Sequence, residues 1–426
     1  MRVSCLPPGV DDDGPADLRY ALYGHAPSPN IGSVAANVIP EVRRLGLAPA
    51  ARAWDFLSIA LSVIAADEGC TRLSSPDGWT RTIELTVAVA DPRYWRAHRE
   101  ALEAALGFLS TDRWFLRFVD GGLQPVPPPH AVPRPEGCVC LLSGGLDSFV
   151  GALELKANGR RPLLVSQVAK GDKRTQLELG REIAGTDLHL QLNHNARPPS
   201  GHSERSQRSR SIVFIAYGVL AATCLDSYRR GETVELHVPE NGFISLNVPL
   251  TPLRMASHST RTTHPVFIRA LQGVLDAAGL RVRLSNRHLF RTKGEMLAGC
   301  ADRAFLLRRA GDTTSCGRYA RTAFTQCGRC VPCLIRRAAF HGAGIEDTTP
   351  SYRYGDLAIP DVRHRHFPDV RAAAMAVERV RNAGLKEWVG GALNAAQLGE
   401  DPVRYEDVAR RGIEELGSFL RGAGVL

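Results

Sequence analysis

Cys138-Val-Cys-Leu-Leu-Ser-Gly-Gly-Leu-Asp-Ser148 decides how the centre of this 426-residue chain is read. Cys138 to Leu142 is a short apolar run of strand length, and a helical stretch follows through Phe149, Leu153 and Leu155. Between them stands Ser143-Gly-Gly-Leu-Asp-Ser148. Two glycines let the backbone turn tightly and bring its N–H groups close to a ligand. The helix beyond points its positive end at the same spot, which favours an anion, and Ser143 and Ser148 add hydroxyls. Asp147 fits beside a phosphate as a cap of the turn or as a ligand of a bridging magnesium ion. A plain Gly-rich turn with an Asp/Ser cap is the structural alternative. The strand context and the whole S-G-G-x-D-S string favour phosphate.

Outward from this loop, strands and helices alternate. Arg161-Pro-Leu-Leu-Val-Ser166 reads as a second strand, Thr175 to Ala184 as a second helix, Ile212 to Leu225 as a long apolar helix, and Thr233 to Val238 as a further strand. This alternation predicts an α/β fold over residues 138–345: a doubly wound parallel sheet covered on both faces. Upstream, six prolines in the eleven residues from Pro125 to Pro135 predict a stiff linker over 121–137. Residues 1–120 read as an N-terminal α+β extension of unassigned role. Trp54, Leu57, Leu61 and Ile64 recur there at helical spacing, Thr82–Val89 and Trp114–Val119 read as strands, and no catalytic motif is evident. Residues 346–426 are rich in Arg, Ala and Glu, with helical spacing in Val370–Val380 and Tyr405–Leu420, and read as a helical C-terminal tail packed on the core.

The length suits two or three domains, and 44% apolar with 23% charged residues suits a soluble globular protein. No apolar run approaches the roughly 20 residues of a membrane span, and the N-terminus has no apolar signal segment, so a cytoplasmic protein without membrane contact is expected. The net charge of +9 comes from 53 basic and 44 acidic side chains spread along the chain. It reads as a solvated surface, with a nucleic-acid partner as the less favoured alternative. Arg205, Arg208 and Arg210 matter for where they fall, and the clustered His364 and His366 read as surface. Of ten cysteines, Cys5, Cys70, Cys138, Cys140, Cys224 and Cys300 are scattered and read as buried thiols. Cys316, Cys327, Cys330 and Cys333 fall within eighteen residues and read as a metal site. Four thiolates complete a zinc tetrahedron with no open position, which makes the site structural. Arg329, Arg336 and Arg337 stand ready to offset its negative charge. An iron–sulfur cluster is the rival, although its C-x2-C-x2-C run takes the next Cys downstream, and here the fourth lies upstream.

The S-G-G-L-D-S string resembles the pyrophosphate loop of the N-type ATP pyrophosphatases, which split ATP between the α and β phosphates and leave AMP on an acyl group. The γ-phosphate motif G-x-x-x-x-G-K-[ST] is absent from it. With the stretch Ser315–Phe340, Arg210-Ser-Ile-Val-Phe-Ile-Ala216 and Thr292-Lys-Gly-Glu-Met-Leu297, residues 138–345 resemble the 7-cyano-7-deazaguanine synthase family, the QueC-like enzymes. The N-terminal region and the tail exceed that family's length. The family's Y-P-D-C-R-P-E-F substrate loop is reduced to Thr260-Arg-Thr-Thr-His-Pro-Val-Phe267, and Glu240–Pro252 is also particular. In these respects the chain is similar to the elongated QueC-like proteins of bacterial anti-phage operons, the QatC type.

The resemblance implies an adenine nucleotide alpha hydrolase-like (PP-loop) fold using ATP, Mg2+ and Zn2+. It implies that Ser143, Gly144, Gly145, Leu146, Asp147 and Ser148 hold the phosphates and that adenine lies near Val165, Ser166 and Gln167. Asp147, Ser148, Lys293 and Arg210 would carry the chemistry. Lys293 would neutralise the leaving pyrophosphate, with a surface charge at a helix start as the alternative. Glu240, Asn241, Arg261, Thr262, His264 and Phe267 would line a deazaguanine pocket, each readable equally as structural, with His264 as a candidate general base. The implied reaction is adenylation of 7-carboxy-7-deazaguanine followed by attack of an amine, with the deazaguanine joined to a partner protein of the same defence operon. An ordinary synthase using ammonia, a tRNA-modifying pyrophosphatase and an ATP-gated scaffold are the other readings. The reduced loop lacks the acidic residue and cysteine found between Pro and Phe in nitrile-forming enzymes, which favours an amide product. No motif fixes the oligomeric state.

Overall fold

A computed structural model of the chain describes residues 1–11, 14–128, 132–169, 171–204, 206, 208–250, 261–359, 367–387, 398–399 and 401–426. Two five-stranded sheets organise it. Strands β1 (Arg2–Leu6), β2 (Leu18–Leu22), β3 (Ile31–Val34), β4 (Thr82–Ala88) and β5 (Arg113–Val119) lie in the order β3-β2-β1-β4-β5. Strands β6 (Cys138–Leu141), β7 (Pro162–Gln167), β8 (His189–Leu192), β9 (Val234–His237) and β10 (Val282–Ser285) lie in the order β10-β9-β6-β7-β8. Among the described residues, the pairings between these ten strands are parallel. The first sheet therefore corrects the expected α+β extension: residues 1–119 form a second parallel α/β unit.

In the second sheet every residue of β6 and β7 is buried, as strands covered on both faces should be. The period of two divides their side chains. Val139, Leu141, Leu163 and Val165 face a core with the helix Arg210–Ala222, while Cys138, Cys140 and Leu164 face one with the helix Leu146–Ala157. The expected doubly wound arrangement is present in this sheet. The strand order turns back at β6, between β7 and β9, and ligands of such sheets bind at the carboxyl ends beside that point.

The two sheets share one apolar core. Its centre is the helix Ala51–Gly69, buried nearly all round, which joins the helix Arg210–Ala222 of the second sheet. A separate apolar cluster packs the C-terminal helices Pro368–Ala383 and Pro402–Gly422 against the helix Val331–Gly342. Among the described residues, no helix is long and apolar enough to cross a membrane. Arg205, Thr260, His364 and His366 lie outside the described residues.

Burial has a consequence for pH. His237 and His264 are 3% and 5% exposed, and loss of hydration lowers both from the ordinary 6.5 to about 4. Between those values the unfolded chain binds protons that the folded chain does not, so stability falls as pH drops from about 6.5 to about 4. Each histidine contributes at most roughly 3 kcal/mol to that loss. Thermal denaturation should show a Tm declining through this window, and His264→Asn, which keeps a capping side chain, should flatten part of the decline.

Candidate functional site

The chain leaves β6 at Leu141 and turns at Gly144, whose φ of 88° lies in the left-handed region that favours glycine. The Ser148 hydroxyl accepts from Ser143 N–H at 3.1 Å, contacts the Ser143 hydroxyl at 2.9 Å and donates to Gly145 O at 3.0 Å. The Ser143 hydroxyl accepts from Gly145 N–H at 3.1 Å. The two serines thus lock the loop from within. The helix Leu146–Ala157 starts at Gly145 without a side-chain cap, which suits its first amides to an anionic ligand.

Neighbours hold the loop from outside. Buried Gln176 donates to Ser143 O at 2.8 Å and to Gln167 O at 3.0 Å, and Thr314 N–H donates to Gly144 O at 2.9 Å. Ser166 and Gln167 lie beside the loop with side chains engaged internally. The Ser166 hydroxyl donates to Leu142 O at 2.5 Å and contacts His189 Nε2 at 2.8 Å, and the Gln167 amide meets His194 Nδ1 at 3.0 Å. Val165 is fully buried in the core.

Asp147 is the charged centre. It is 5% exposed, and Lys293 Nζ lies 2.8 Å from Oδ1. Asn241 donates to Oδ2 from its side chain at 2.7 Å and its backbone at 3.2 Å, and reaches Glu240 Oε1 at 3.3 Å. Burial opposes charge on Asp147, but the Lys293 ammonium and the donated hydrogen bonds prevail and hold its carboxyl well below the usual range. Glu240 moves the other way: burial first, then the charge of Asp147, pushes its carboxyl well above the usual range. The two carboxyls are coupled, and Lys293 faces the charge on Asp147. Glu240 and Asn241 arrive from the carboxyl end of β9, which is paired with β6.

Lys293 opens the helix Lys293–Ala298 within a capping box formed by Thr292 and Glu295. It is 7% exposed, which corrects the alternative of a surface charge. Arg210 opens the helix Arg210–Ala222. Burial lowers its pKa, against the attraction of Asp172 and Glu68. Asp172 adjoins the loop Ser143–Ser148, since a Cβ on Gly144 would lie 3.6 Å from its own. The segment before Arg210 is tied to the first sheet: Ser206 Oγ and Ser209 N–H donate to buried Asp67 at 2.9 and 3.1 Å, and Arg208 donates to Ser110 O at 2.7 Å.

The other pocket candidates gather elsewhere. Arg261 donates to Phe108 O at 3.0 Å and stacks over the Phe108 ring at 4.7 Å, and His264 packs against the same ring at 5.1 Å. His264 Nδ1 accepts from Val266 N–H at 3.2 Å and caps the helix Pro265–Ala277, and burial keeps it neutral. Its observed place is that of a helix cap. Phe267 is fully buried in the shared core, and Thr262 is half-buried between these residues. Together they close the junction with the helix Arg99–Ser110 of the first sheet. Thr263, which the sequence did not single out, is the one bonded to Ser245 in the short helix that Asn241 caps. Gln176 and Thr314 were likewise missed, because nothing in their local pattern marks them.

The four cysteines meet. The sulfurs of Cys316, Cys327, Cys330 and Cys333 are buried and all lie within 4.8 Å of one another, with Cys327–Cys333 and Cys316–Cys330 each at 3.9 Å. A tetrahedron with zinc–sulfur bonds of about 2.3 Å has edges of about 3.8 Å. The donors fit a single ion such as zinc, whereas a multi-iron cluster would spread the thiolates further apart. N–H groups of Arg318, Cys327 and Cys330 point at the sulfurs at 3.3 Å. The expected charge compensation is corrected in part. Arg336 donates to Thr313 O, Thr313 Oγ1 and Ala310 O, Arg329 stacks over Tyr354 and Phe367, and Arg337 donates to Gly328 O at 3.3 Å and Gly355 O at 2.7 Å. Gln326 donates to Thr313 O at 3.0 Å and accepts from Ser315 N–H at 3.3 Å, so the knuckle fixes Thr314 and through it Gly144.

Metal analysis of the purified chain should find one tightly held ion per molecule. Cys330→Ser should lose it and destabilise the protein by several kcal/mol, because such a site contributes folding energy. A metal-free chain with unchanged Tm would overturn this. Comparison with known proteins finds no matching family model, no matching curated protein and no matching solved structure.

Proposed function

We propose that this chain is an ATP pyrophosphatase of the QueC-like kind, closest to the QatC type, with a PP-loop fold. It would adenylate 7-carboxy-7-deazaguanine or a close analogue and pass the acyl group to an amine. One observation carries the reading: an uncapped helix N-terminus behind a glycine turn meets a buried Asp147 paired with Lys293 at the carboxyl edge of β6. The glycine turn and helix suit the phosphates of ATP, with Arg210 adding charge from the facing helix. Asp147 would be the carboxylate to hold a magnesium ion, which would offset phosphate charge, in exchange for part of its contact with Lys293 and Asn241. The substrate carboxylate attacks the α-phosphorus, the bond to the bridging oxygen breaks, and pyrophosphate leaves with its charge offset by Lys293. An amine then attacks the acyl carbon, AMP leaves, and the amine's surplus proton passes to water. Glu240, as a neutral carboxyl, can both donate to and accept from the edge of a purine-like base, and Asn241 lies beside it. The four cysteines hold zinc as a structural ion in this reading. The acceptor is the amine of a partner protein, and the first sheet and the C-terminal helices offer surface for it.

With a suitable carboxylate, nucleotide chromatography should show AMP and pyrophosphate from ATP; ADP with orthophosphate would overturn the reading. Asp147→Asn should lower kcat at least about a hundredfold. The metal should remain bound in that variant, since Glu240 can ionise in place of Asp147 and spare Lys293 an unpaired burial. For the acceptor, mass spectrometry after incubation with ATP, 7-carboxy-7-deazaguanine and the neighbouring operon proteins should show an amide on a partner amine. Efficient formation of the free nitrile from ammonium, with no partner labelled, would restore the ordinary synthase reading.

A further inference from the structure

The helix Pro402–Gly422 stands far from the phosphate loop in sequence, yet it reaches the turn that carries Lys293. Glu415 accepts from Thr292 Oγ1 at 2.7 Å and from Gly294 N–H at 3.1 Å, the residues on either side of Lys293. Arg411, one turn earlier on the same helix, pairs with Glu295 and donates to Phe290 O at 3.0 Å. Thr292 in turn accepts from Glu295 N–H at 3.2 Å, so its hydroxyl is fixed on both sides. A Cβ on Gly294 would collide with the Glu415 carboxylate, which occupies the place of a side chain there.

Docking the helix does not require this carboxylate. Val408, Ile413, Leu416 and Leu420 already bury an apolar stripe against Leu334 and Ile335. A carboxylate taken out of water contributes little net stability, even when its donors are in place. What Glu415 adds is geometry. It holds the Thr292 hydroxyl before Lys293 and the Gly294 N–H after it, and thereby sets the direction from which the ammonium meets Asp147.

We infer that Glu415 is a positioning residue that aims Lys293 at the phosphate site, so that the C-terminal helix belongs to the catalytic apparatus. The catalytic half of this inference rests on the pyrophosphatase reading of Lys293; the geometric half does not. The experiment uses the full chain as wild type, Glu415→Gln and Glu415→Ala, with two readouts. The first is acetylation by acetic anhydride, followed by mass spectrometry of Lys293 relative to the exposed Lys386. In Glu415→Ala the relative labelling of Lys293 should rise about tenfold as the turn opens locally. Glu415→Gln, which keeps an acceptor oxygen, should retain part of the protection. The second is pyrophosphate release, where Glu415→Ala should lower kcat about tenfold with little change in KM for ATP, and Glu415→Gln should recover part of it.

Unchanged Lys293 labelling in Glu415→Ala would overturn the inference, as would a uniform rise at every lysine with a collapsed Tm in both variants, which marks a merely structural anchor. A selective rise at Lys293, in a protein whose wild type releases no pyrophosphate from ATP, would uphold the positioning and overturn the pyrophosphatase reading instead.

Discussion

Asp147 and Lys293 meet at 2.8 Å in a site that water hardly reaches, and much of the second sheet is arranged so that neither charge is stranded. A buried ion pair is tolerable only when the remaining hydrogen-bonding capacity is met. Asn241 meets it for Asp147 Oδ2, and burial beside Asp147 pushes the Glu240 carboxyl up. Three stretches of chain must converge for this: the helix after β6, the end of β9 and the turn before Lys293. The adjacency of β6 and β9 at the point where the strand order turns back brings the first two together.

The loop Ser143–Ser148 and the cations around it depend on supports from several distant parts of the chain. A turn with positive φ at Gly144 is held by Gln176 from the next helix and by Thr314 from the cysteine knuckle. The knuckle is therefore more than a staple. Its four sulfurs set the path of Thr313–Ser315, which touches the loop. On the opposite side Asp67, at the end of a helix from the first sheet, anchors the segment that leads into Arg210. Asp67 is itself paired with Arg81, which also pairs with Asp112, so its charge is matched inside the first sheet.

The two sheets also show how open edges are closed without further strands. Gln272 donates to Val282 O at 3.0 Å and accepts from Leu284 N–H at 2.8 Å, standing in for a neighbour of β10. Glu103 accepts from Leu116 N–H at 2.7 Å and Arg96 donates to Phe118 O at 3.0 Å along β5. Edge groups met in this way are poor templates for pairing with another chain.

What the sequence determined by itself is local. The apolar run Cys138–Leu142, the loop Ser143–Ser148 and the strand near Arg161–Ser166 announce themselves because central parallel strands are apolar throughout and paired glycines mark a tight turn from strand to helix. The cysteine spacing announces a metal cage for the same kind of reason: three of the four ligands lie within seven residues. The tertiary structure alone decided the rest. β1 to β3, β8 and β10 span four or five residues each, too few for a period to show. That the first sheet is parallel depends on how strands far apart in sequence pair. Arg261, His264 and Phe267 sit in a plausible stretch of sequence, but the helix Arg99–Ser110 claims them for packing. Lys293 could be read equally as a surface charge, because the residues that bury and aim it, Asp147, Asn241 and Glu415, come from distant parts of the chain. Periodicity reports a residue's own neighbourhood; burial and charge pairing are properties of groups that only folding brings within a few ångströms.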